Sequence, residues 1–461
     1  MQDNIILLTD SYKVSHHVQY PKNTTKVFSY FESRGGKFKS TVFFGLQYFI
    51  KRYLTKPITM KDINDAASVY KEHFGTDKLF NREGWEYILR EHDGFLPVRI
   101  RAVPEGSRIP THEVLMTVEN TDPKCFWLTN YLETLLSQVW YPTTVATLSR
   151  YTKDLIGSYL EKTGDPELVD FKLHDFGFRG VSSVESAGLG GAAHLVNFKG
   201  TDTIAALTFL RDYYFGGGAE GFSIPASEHS TITSWGRAHE LDAYRNMIKQ
   251  YGDNPLYACV SDSYDIYKAC SELWGSALKD EVLNANGTLV VRPDSGKPVD
   301  VVLKCLELLG EAFGTTINSK GYKVLNPKVR VIQGDGVNYE AIHDILHFMK
   351  DEGWSADNIA FGMGGGLLQK VNRDTQKFAF KCCSATVAGK EIDVYKDPVT
   401  DPGKVSKKGR LDLVLEDGVP TTVQLRNEQD VHPHTLLRTV FDTGKVFNEQ
   451  TFEEVRKASF E

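Results

Sequence analysis

The six cysteines (Cys125, Cys259, Cys270, Cys305, Cys382 and Cys383) include no CxxC pair, and no cysteine–histidine set has zinc spacing. This argues against a disulfide framework and a zinc module, and points to a reduced, cytoplasmic protein. No apolar run approaches the roughly 18 residues of a membrane helix. The segment after Met1, QDNIILLTDSYK, has no basic start and too short an apolar run for a signal peptide. No basic tract carries interleaved aromatics and the net charge is −7, so nucleic acid is not the expected partner. HExxH, GxSxG, a Walker loop and a dinucleotide fingerprint are also missing, which disfavours metalloprotease, serine hydrolase and dinucleotide-dependent redox chemistry.

What is present is a rhythm. Between Lys172 and Leu367 an apolar stretch ends seven times in small, charged or hydroxyl residues, and a helix-like segment follows. The ends read KLHDFGFRG, VNFKGTDT, GFSIPASEHS, YACVSDSYD, LVVRPDSGKP, RVIQGDGVN and NIAFGMGGG, starting near Lys172, Val196, Phe222, Leu256, Leu289, Val329 and Asn358. Their spacing is about 31 residues, close to a β/α-barrel unit, and in such barrels the loops after the strands share one face. The sequence therefore implies an incomplete or irregular β/α barrel over residues 151–380. Residues 1–150 are mixed α+β and residues 381–461 read as strands. The flanks are expected to combine into one mixed, β-rich domain.

The loops hold the polar clusters. Gly364–Gly366 follow a strand and precede a helix, which suits either close approach of an anion to backbone N–H groups or a tight turn. Gly334 and Gly336 flank Asp335, which reads as part of a phosphosugar loop or as a helix N-cap. Arg292 and Asp294 share a loop, either as phosphate and ribose contacts or as a surface pair worth about 0–1 kcal/mol. Asp262 and Asp265 lie three apart and suit Mg²⁺, although a helix cap explains Asp265 equally well. His229, beside Glu228, fits a general base or a nucleophile toward phosphate as well as a structural histidine. Phe176, Arg179 and Asp202 supply a ring, a cation and a carboxylate on neighbouring loops.

Taken in order, TDSYKVSHHVQYP, YFESRGG, FGLQYFI, KLHDFGFRGVSS, NFKGTDT, IPASEHSTI, VSDSYDIY, RPDSGKP, IQGDGVN, AFGMGGGLLQK and SKKGRL resemble the nicotinamide phosphoribosyltransferases. The resemblance implies transfer of phosphoribosyl from phosphoribosyl pyrophosphate to nicotinamide, giving nicotinamide mononucleotide and pyrophosphate in NAD salvage. It implies Mg²⁺, and ATP as a coupling substrate. It also implies a head-to-tail homodimer with shared active sites. By matching motif, Phe176 and the other subunit's Tyr12 would sandwich the ring, and Asp202 would accept from the carboxamide. Arg179, His229 and Arg292 would hold ring, pyrophosphate and phosphate groups, and Asp294 would contact ribose or the ring side of the new bond. Gly334, Asp335, Gly364 and Gly365 would bind ribose and the 5′-phosphate. Arg34, Arg373 and Lys381 would reach in from the partner. His229 would be phosphorylated by ATP, with Lys396 and Lys404 near the phosphate tunnel, and Asp262 is the candidate metal ligand. Nicotinate phosphoribosyltransferase is the alternative; Asp202 argues against it, because nicotinate brings a carboxylate. The chain departs from the pattern in its short GGKFKSTV segment, in Met363 where a small hydroxyl residue is usual, and in Ala379 where serine is usual.

Overall fold

The computed structural model describes residues 4–400, 405–425 and 431–460. The chain forms two compact units. One comprises Met1–Thr147, Arg211–Gly216 and Asn372–Glu461; the other comprises Leu148–Leu210 and Gly217–Val371. The second unit is the barrel. Its strands run in the order Gly200–Thr201, Leu173–Asp175, Ile359–Met363, Val329–Gln333, Thr288–Arg292 and Leu256–Val260, every neighbouring pair parallel. The two outer strands of this sheet are joined by the segment around Phe222–Ala226. Phe222 bridges Gly200 and Ala226 bridges Ala258, both in parallel. Backbone bonds at the two seams (Thr201 N to Phe222 O at 2.9 Å and Ala258 N to Pro225 O at 2.8 Å) close the sheet into a ring. All seven strand ends read from the sequence therefore take part, six as strands and one as a segment with an isolated bridge at each seam.

The strands are rich in Val, Ile and Leu because a parallel sheet is covered on both faces. Ala258, Val290 and Ile332 form one interior layer, with Phe176, Ile224 and Ala360 packed against it. On the outside lie helices with identifiable starts. Ser183 caps Val184–Leu195, Pro298 opens Pro298–Phe313, and Asn338 caps Tyr339–Asp351 by accepting from Ala341 N at 2.8 Å.

The other unit is built on a seven-stranded antiparallel sheet with Thr24–Ser33 near its centre. That strand pairs with Phe378–Val387 on one side and Val114–Asn120 on the other, so both chain ends share one sheet. This pairing is why residues 372–380 group with the sheet rather than with the barrel. Arg211–Gly216 groups there too: the Tyr214 hydroxyl donates to the buried Glu105 carboxylate at 2.7 Å, which also accepts from Gly45 N and Gln47 N. Such a long-range contact leaves no local sequence signal. No helix among the described residues is long and apolar enough to cross a membrane. All six cysteines are free thiols.

Lys172 sits at the start of its barrel strand, fully buried, and Nζ donates to the carbonyls of Ala356, Asp357 and Ile359 at 3.1, 3.0 and 2.8 Å. Burial pushes its pKa down to about 7. Replacement by Met removes this donor from three carbonyls, of which only that of Ala356 keeps a bond from Ile359 N, and should cost about 2–4 kcal/mol. The unfolded side chain titrates near 10.4, so between the two values the unfolded chain holds more protons. Wild-type stability relative to Lys172→Met should therefore rise from pH 7 to pH 9, as read by thermal unfolding of both proteins. A gap that stays constant would mean that the three carbonyls keep Nζ charged.

Candidate active site

Side chains alternate along a strand, so the residues two and four places beyond the interior layer also face inward. From Val290 this rule leads to Arg292, from Ala360 to Gly362 and from Ala258 to Val260, and Asp294, Gly334, Gly364 and Asp262 follow just past the ends of their strands. The polar residues at the strand ends are thus carried to one mouth by the same register that fills the core.

One side of the mouth is built around Phe176. Its backbone N–H donates to Met363 O at 3.0 Å, and its ring occupies the space a side chain at Gly362 would need. A Cβ on Gly362 would stand 1.9 Å from the ring, and one on Gly334 would stand 3.2 Å from it. The Arg292 guanidinium lies 5.5 Å from the ring centroid. The turn after Phe176 is fixed by Asp175, which is buried, accepts from Gly177 N at 2.7 Å, and has its pKa raised by that burial. The Asp175 carbonyl accepts Asp202 N at 3.0 Å, so one residue ties the Phe176 and Asp202 loops together. Asp202 Oδ1 accepts from His174 Nε2 at 2.8 Å and from Ser223 Oγ at 2.5 Å. Burial opposes the Asp202 charge, but His174, Ser223 and Arg292 outweigh it and hold the carboxyl below its usual range.

The other side is a chain of paired charges. His229 Nε2 lies 3.0 Å from Asp262 Oδ1, and its Nδ1 lies 3.9 Å from Asp294 Oδ2. Asp294 Oδ1 accepts from Arg292 Nη2 at 2.8 Å and from Nε at 3.2 Å. Asp262 Oδ2 accepts from Ser295 Oγ at 2.5 Å. Arg292 and Asp294 are therefore paired, as the surface-pair alternative had it, but at a shared cleft with Phe176 and His229. Asp262 and Asp265 do different work. Asp265 caps the Ile266–Lys268 turn, accepting from Tyr267 N and Lys268 N at 3.0 Å each, whereas Asp262 holds His229.

The glycine loops also separate. The N-cap after the Gly334–Gly336 loop is Asn338 and not Asp335, which is exposed. Gln333 Nε2 donates to the Asp335 carbonyl at 2.7 Å and fixes the loop. Gly364 carries the bend, with φ −97° and ψ −108°. A Cβ on Gly366 would meet the Val337 carbonyl at 2.8 Å, whereas one on Gly365 would meet nothing within 4 Å. Gly365 thus offers open backbone. Arg179 is exposed on the Phe178–Gly180 turn.

The remaining candidates belong to the sheet unit. Tyr12 is 60% exposed on the Ser11–Val18 turn, so its ring is available for contact. Arg34 Nε donates to Glu32 at 2.8 Å. Lys381 lies opposite Tyr30 in the sheet. Burial pushes its pKa down; Glu133 opposes this, while Arg34, Lys396 and Arg373 push further in the same direction. Arg34, Arg373, Lys381 and Lys396 therefore form one cationic cluster. Lys404 lies outside the described residues. His174, Asp175, Ser223, Ser295 and Gly362 were not singled out by sequence. His174 and Gly362 share the inward register and could have been found by counting in twos from the strand cores.

Residues 171–445 match the model of the nicotinate phosphoribosyltransferase family, and residues 4–100 match that of the nicotinamide phosphoribosyltransferase N-terminal domain. The chain is 54% identical to a nicotinamide phosphoribosyltransferase of Xanthomonas campestris pv. campestris, covering 98% of this chain and 97% of that protein. It is 34% identical to another, from Acinetobacter baylyi, with 97% and 95% covered. Its fold resembles the crystal structures of a nicotinate-nucleotide pyrophosphorylase from Pyrococcus furiosus (TM-score 0.60, 16% identity, 100% and 96% covered) and of human nicotinic acid phosphoribosyltransferase (TM-score 0.55, 16% identity, 98% and 93% covered). With a family model matched over more than half of its length and such relatives over nearly all of it, the chain belongs to the nicotinate phosphoribosyltransferase family, and within it to the nicotinamide phosphoribosyltransferases.

Proposed function

We propose that the barrel mouth joins nicotinamide to phosphoribosyl pyrophosphate, releasing pyrophosphate and forming nicotinamide mononucleotide for NAD salvage. The observation that carries this reading is Asp202. Both of its hydrogen bonds land on Oδ1, so Oδ2 is left to accept from a carboxamide N–H. Phe176 supplies a flat apolar face beside it. Nicotinamide is already nucleophilic at its ring nitrogen, so the protein's task is orientation. As pyrophosphate leaves C1, the ribosyl group becomes cationic and negative charge gathers on the leaving group. Arg292 and Arg179 are assigned to phosphate groups, Asp294 to ribose, and the loop residues Gly334, Asp335, Gly364 and Gly365, of which Gly365 has open space beside its backbone, to ribose and the 5′-phosphate.

A Mg²⁺ ion would supply charge neutralisation on the pyrophosphate. Both Asp262 oxygens are engaged by His229 and Ser295, so Asp294, whose Oδ2 lies 3.9 Å from His229 Nδ1, beyond hydrogen-bond reach, fits a water-bridged contact to such an ion better. ATP is the proposed coupling substrate. His229 is 46% exposed, and Asp262 on Nε2 fixes the ring so that Nδ1 is the nitrogen presented to a phosphoryl group. The proposed assembly is a cytoplasmic homodimer in which Tyr12, Arg34, Arg373 and Lys381 of each chain complete the partner's site. Lys396 is assigned to the phosphate tunnel in this reading.

The reading is tested by Asp202→Asn. Nicotinate places a second negative charge against Asp202 in a partly desolvated cleft, whereas Asn removes that repulsion and can donate. The variant should lower kcat/KM for nicotinamide and raise it for nicotinate, narrowing the ratio about ten-fold or more. Both constants are to be measured near pH 7.5 with saturating phosphoribosyl pyrophosphate. An unmoved ratio would place Asp202 away from the ring substituent and return the nicotinate alternative.

His229→Ala tests the coupling. It should abolish ATP hydrolysis and ATP stimulation while slow ATP-independent synthesis persists, because ribosyl transfer relies on cations and orientation. Undiminished ATPase activity in this variant would rule out His229 as the phosphate acceptor.

A further inference from the structure

A second cluster of ligand-bearing side chains lies in the sheet unit and includes none of the residues assigned above. The helix Arg82–Glu91 ends at His92, and the chain turns through Asp93 and Gly94, both with positive φ. Thirty positions on, Asp122 caps the turn Pro123–Cys125 by accepting Lys124 N at 2.7 Å on Oδ1. The other oxygen, Oδ2, faces His92 Nε2 at 2.8 Å and the Tyr87 hydroxyl at 2.9 Å. Cys125 completes the group from the same turn. The imidazole nitrogen, the carboxylate oxygen and the Cys125 sulfur all lie within 4.8 Å of one another. No other three-residue set of such ligands is this close among the described residues.

The chemistry of the set is selective. Thiolate plus imidazole plus one carboxylate suits zinc and similar borderline metals, whereas Mg²⁺ and Ca²⁺ prefer oxygen alone. Bond lengths of about 2.0–2.3 Å put neighbouring tetrahedral ligands about 3.3–3.8 Å apart, so movements of about 1 Å complete the geometry. The ligands are also pre-held. Oδ1 is locked by the turn, and Tyr87 holds Oδ2 as an outer partner, the arrangement that orients metal-bound carboxylates. Access is one-sided: Cys125 is fully buried, while the His92 and Asp122 side chains keep 20% and 16% of their surface, so an ion enters from their side and water can fill a fourth position. The spacing, His92 thirty residues before Asp122-x-x-Cys125, matches no zinc motif, which is why the sequence does not announce it.

We infer that His92, Asp122 and Cys125 form a zinc-binding site separate from the barrel mouth. A neutral cysteine carries its proton on sulfur until a metal replaces it. An entering cation displaces that proton and takes the sulfur as thiolate. Zinc binding therefore releases a proton, with no change in the oxidation state of the sulfur.

The test uses the full-length protein after chelator treatment, with cobalt(II) as a spectroscopic stand-in for zinc. Cobalt should bind at one equivalent per chain with a near-ultraviolet sulfur-to-cobalt charge-transfer band, and one equivalent of zinc should remove the band. Cys125→Ser should lack the band, and His92→Gln should weaken cobalt binding at least ten-fold. Both variants should keep wild-type circular dichroism and basal synthesis, since neither residue belongs to the barrel machinery. Zinc should raise the Tm of the wild type but not of Cys125→Ser. Absence of the band in the wild type would show that His92 and Asp122 only hydrogen-bond around the turn, and a band that persists in Cys125→Ser would place the cation at another thiol; either result overturns the site.

Discussion

Closure of the parallel sheet into a ring is the constraint on which the site depends. In a closed ring every strand has one inward and one outward face, and the alternation is fixed by the backbone. Once Ala258, Val290 and Ile332 occupy the interior layer, the inward positions beyond them are determined. Arg292 and Gly362 fall into that set, and Asp262, Asp294, Gly334 and Gly364 follow just past the strand ends. A one-residue slip in any strand would turn its polar end out of the mouth and its core residue out of the layer together. Packing and chemistry are thus enforced by one register, and the hydrogen bonds at Phe222 and Ala258 that complete the ring support both.

Within the mouth the charges are arranged by opposition. His174 and Ser223 load one oxygen of Asp202 and leave the other, while burial and Arg292 pull its protonation in opposite directions. Arg292 is bound by Asp294 on one side and lies beside the Phe176 ring on the other. His229 is held by Asp262, whose second oxygen is held by Ser295. Asp202, Arg292 and His229 each have a partner that sets their direction, so little reorganisation of these groups is needed as charge develops.

The barrel was legible because each strand ends abruptly, apolar residues giving way to glycine, hydroxyls or charge. Its seven-fold count was legible for the same reason, even where the Phe222 segment is too short to form a full strand. What was not legible depended on dihedral angles or distant contacts. Asp262 and Asp265 look alike in SDSYD, yet Asp265, extended at φ −155° and ψ 102°, aims its side chain at its own helix start, whereas Asp262 meets His229 and Ser295. Asp335 looked like a cap, but the helix begins three residues later at Asn338. His174 and Asp175 read as ordinary strand residues, because their roles as partner of Asp202 and tie between loops appear only when the strands are adjacent. The place of Tyr214 in the sheet unit rests on Glu105, 109 positions earlier.

The central claim is that the register delivers the Phe176 ring to the mouth as a platform for the nicotinamide ring. Gly362 is the position that tests it. A methyl group there would stand 1.9 Å from the Phe176 ring, so Gly362→Ala must displace the ring while adding only one carbon to a strand whose backbone any residue can adopt. The decisive measurement is steady-state kinetics of Gly362→Ala with each substrate varied in turn, alongside its Tm. The expected result is a KM for nicotinamide raised about ten-fold or more, with the KM for phosphoribosyl pyrophosphate nearly unchanged and the fold retained, since a lost stacking face is worth about 1.4 kcal/mol or more. An unchanged KM for nicotinamide in a folded variant would contradict the platform and the inward register that positions it.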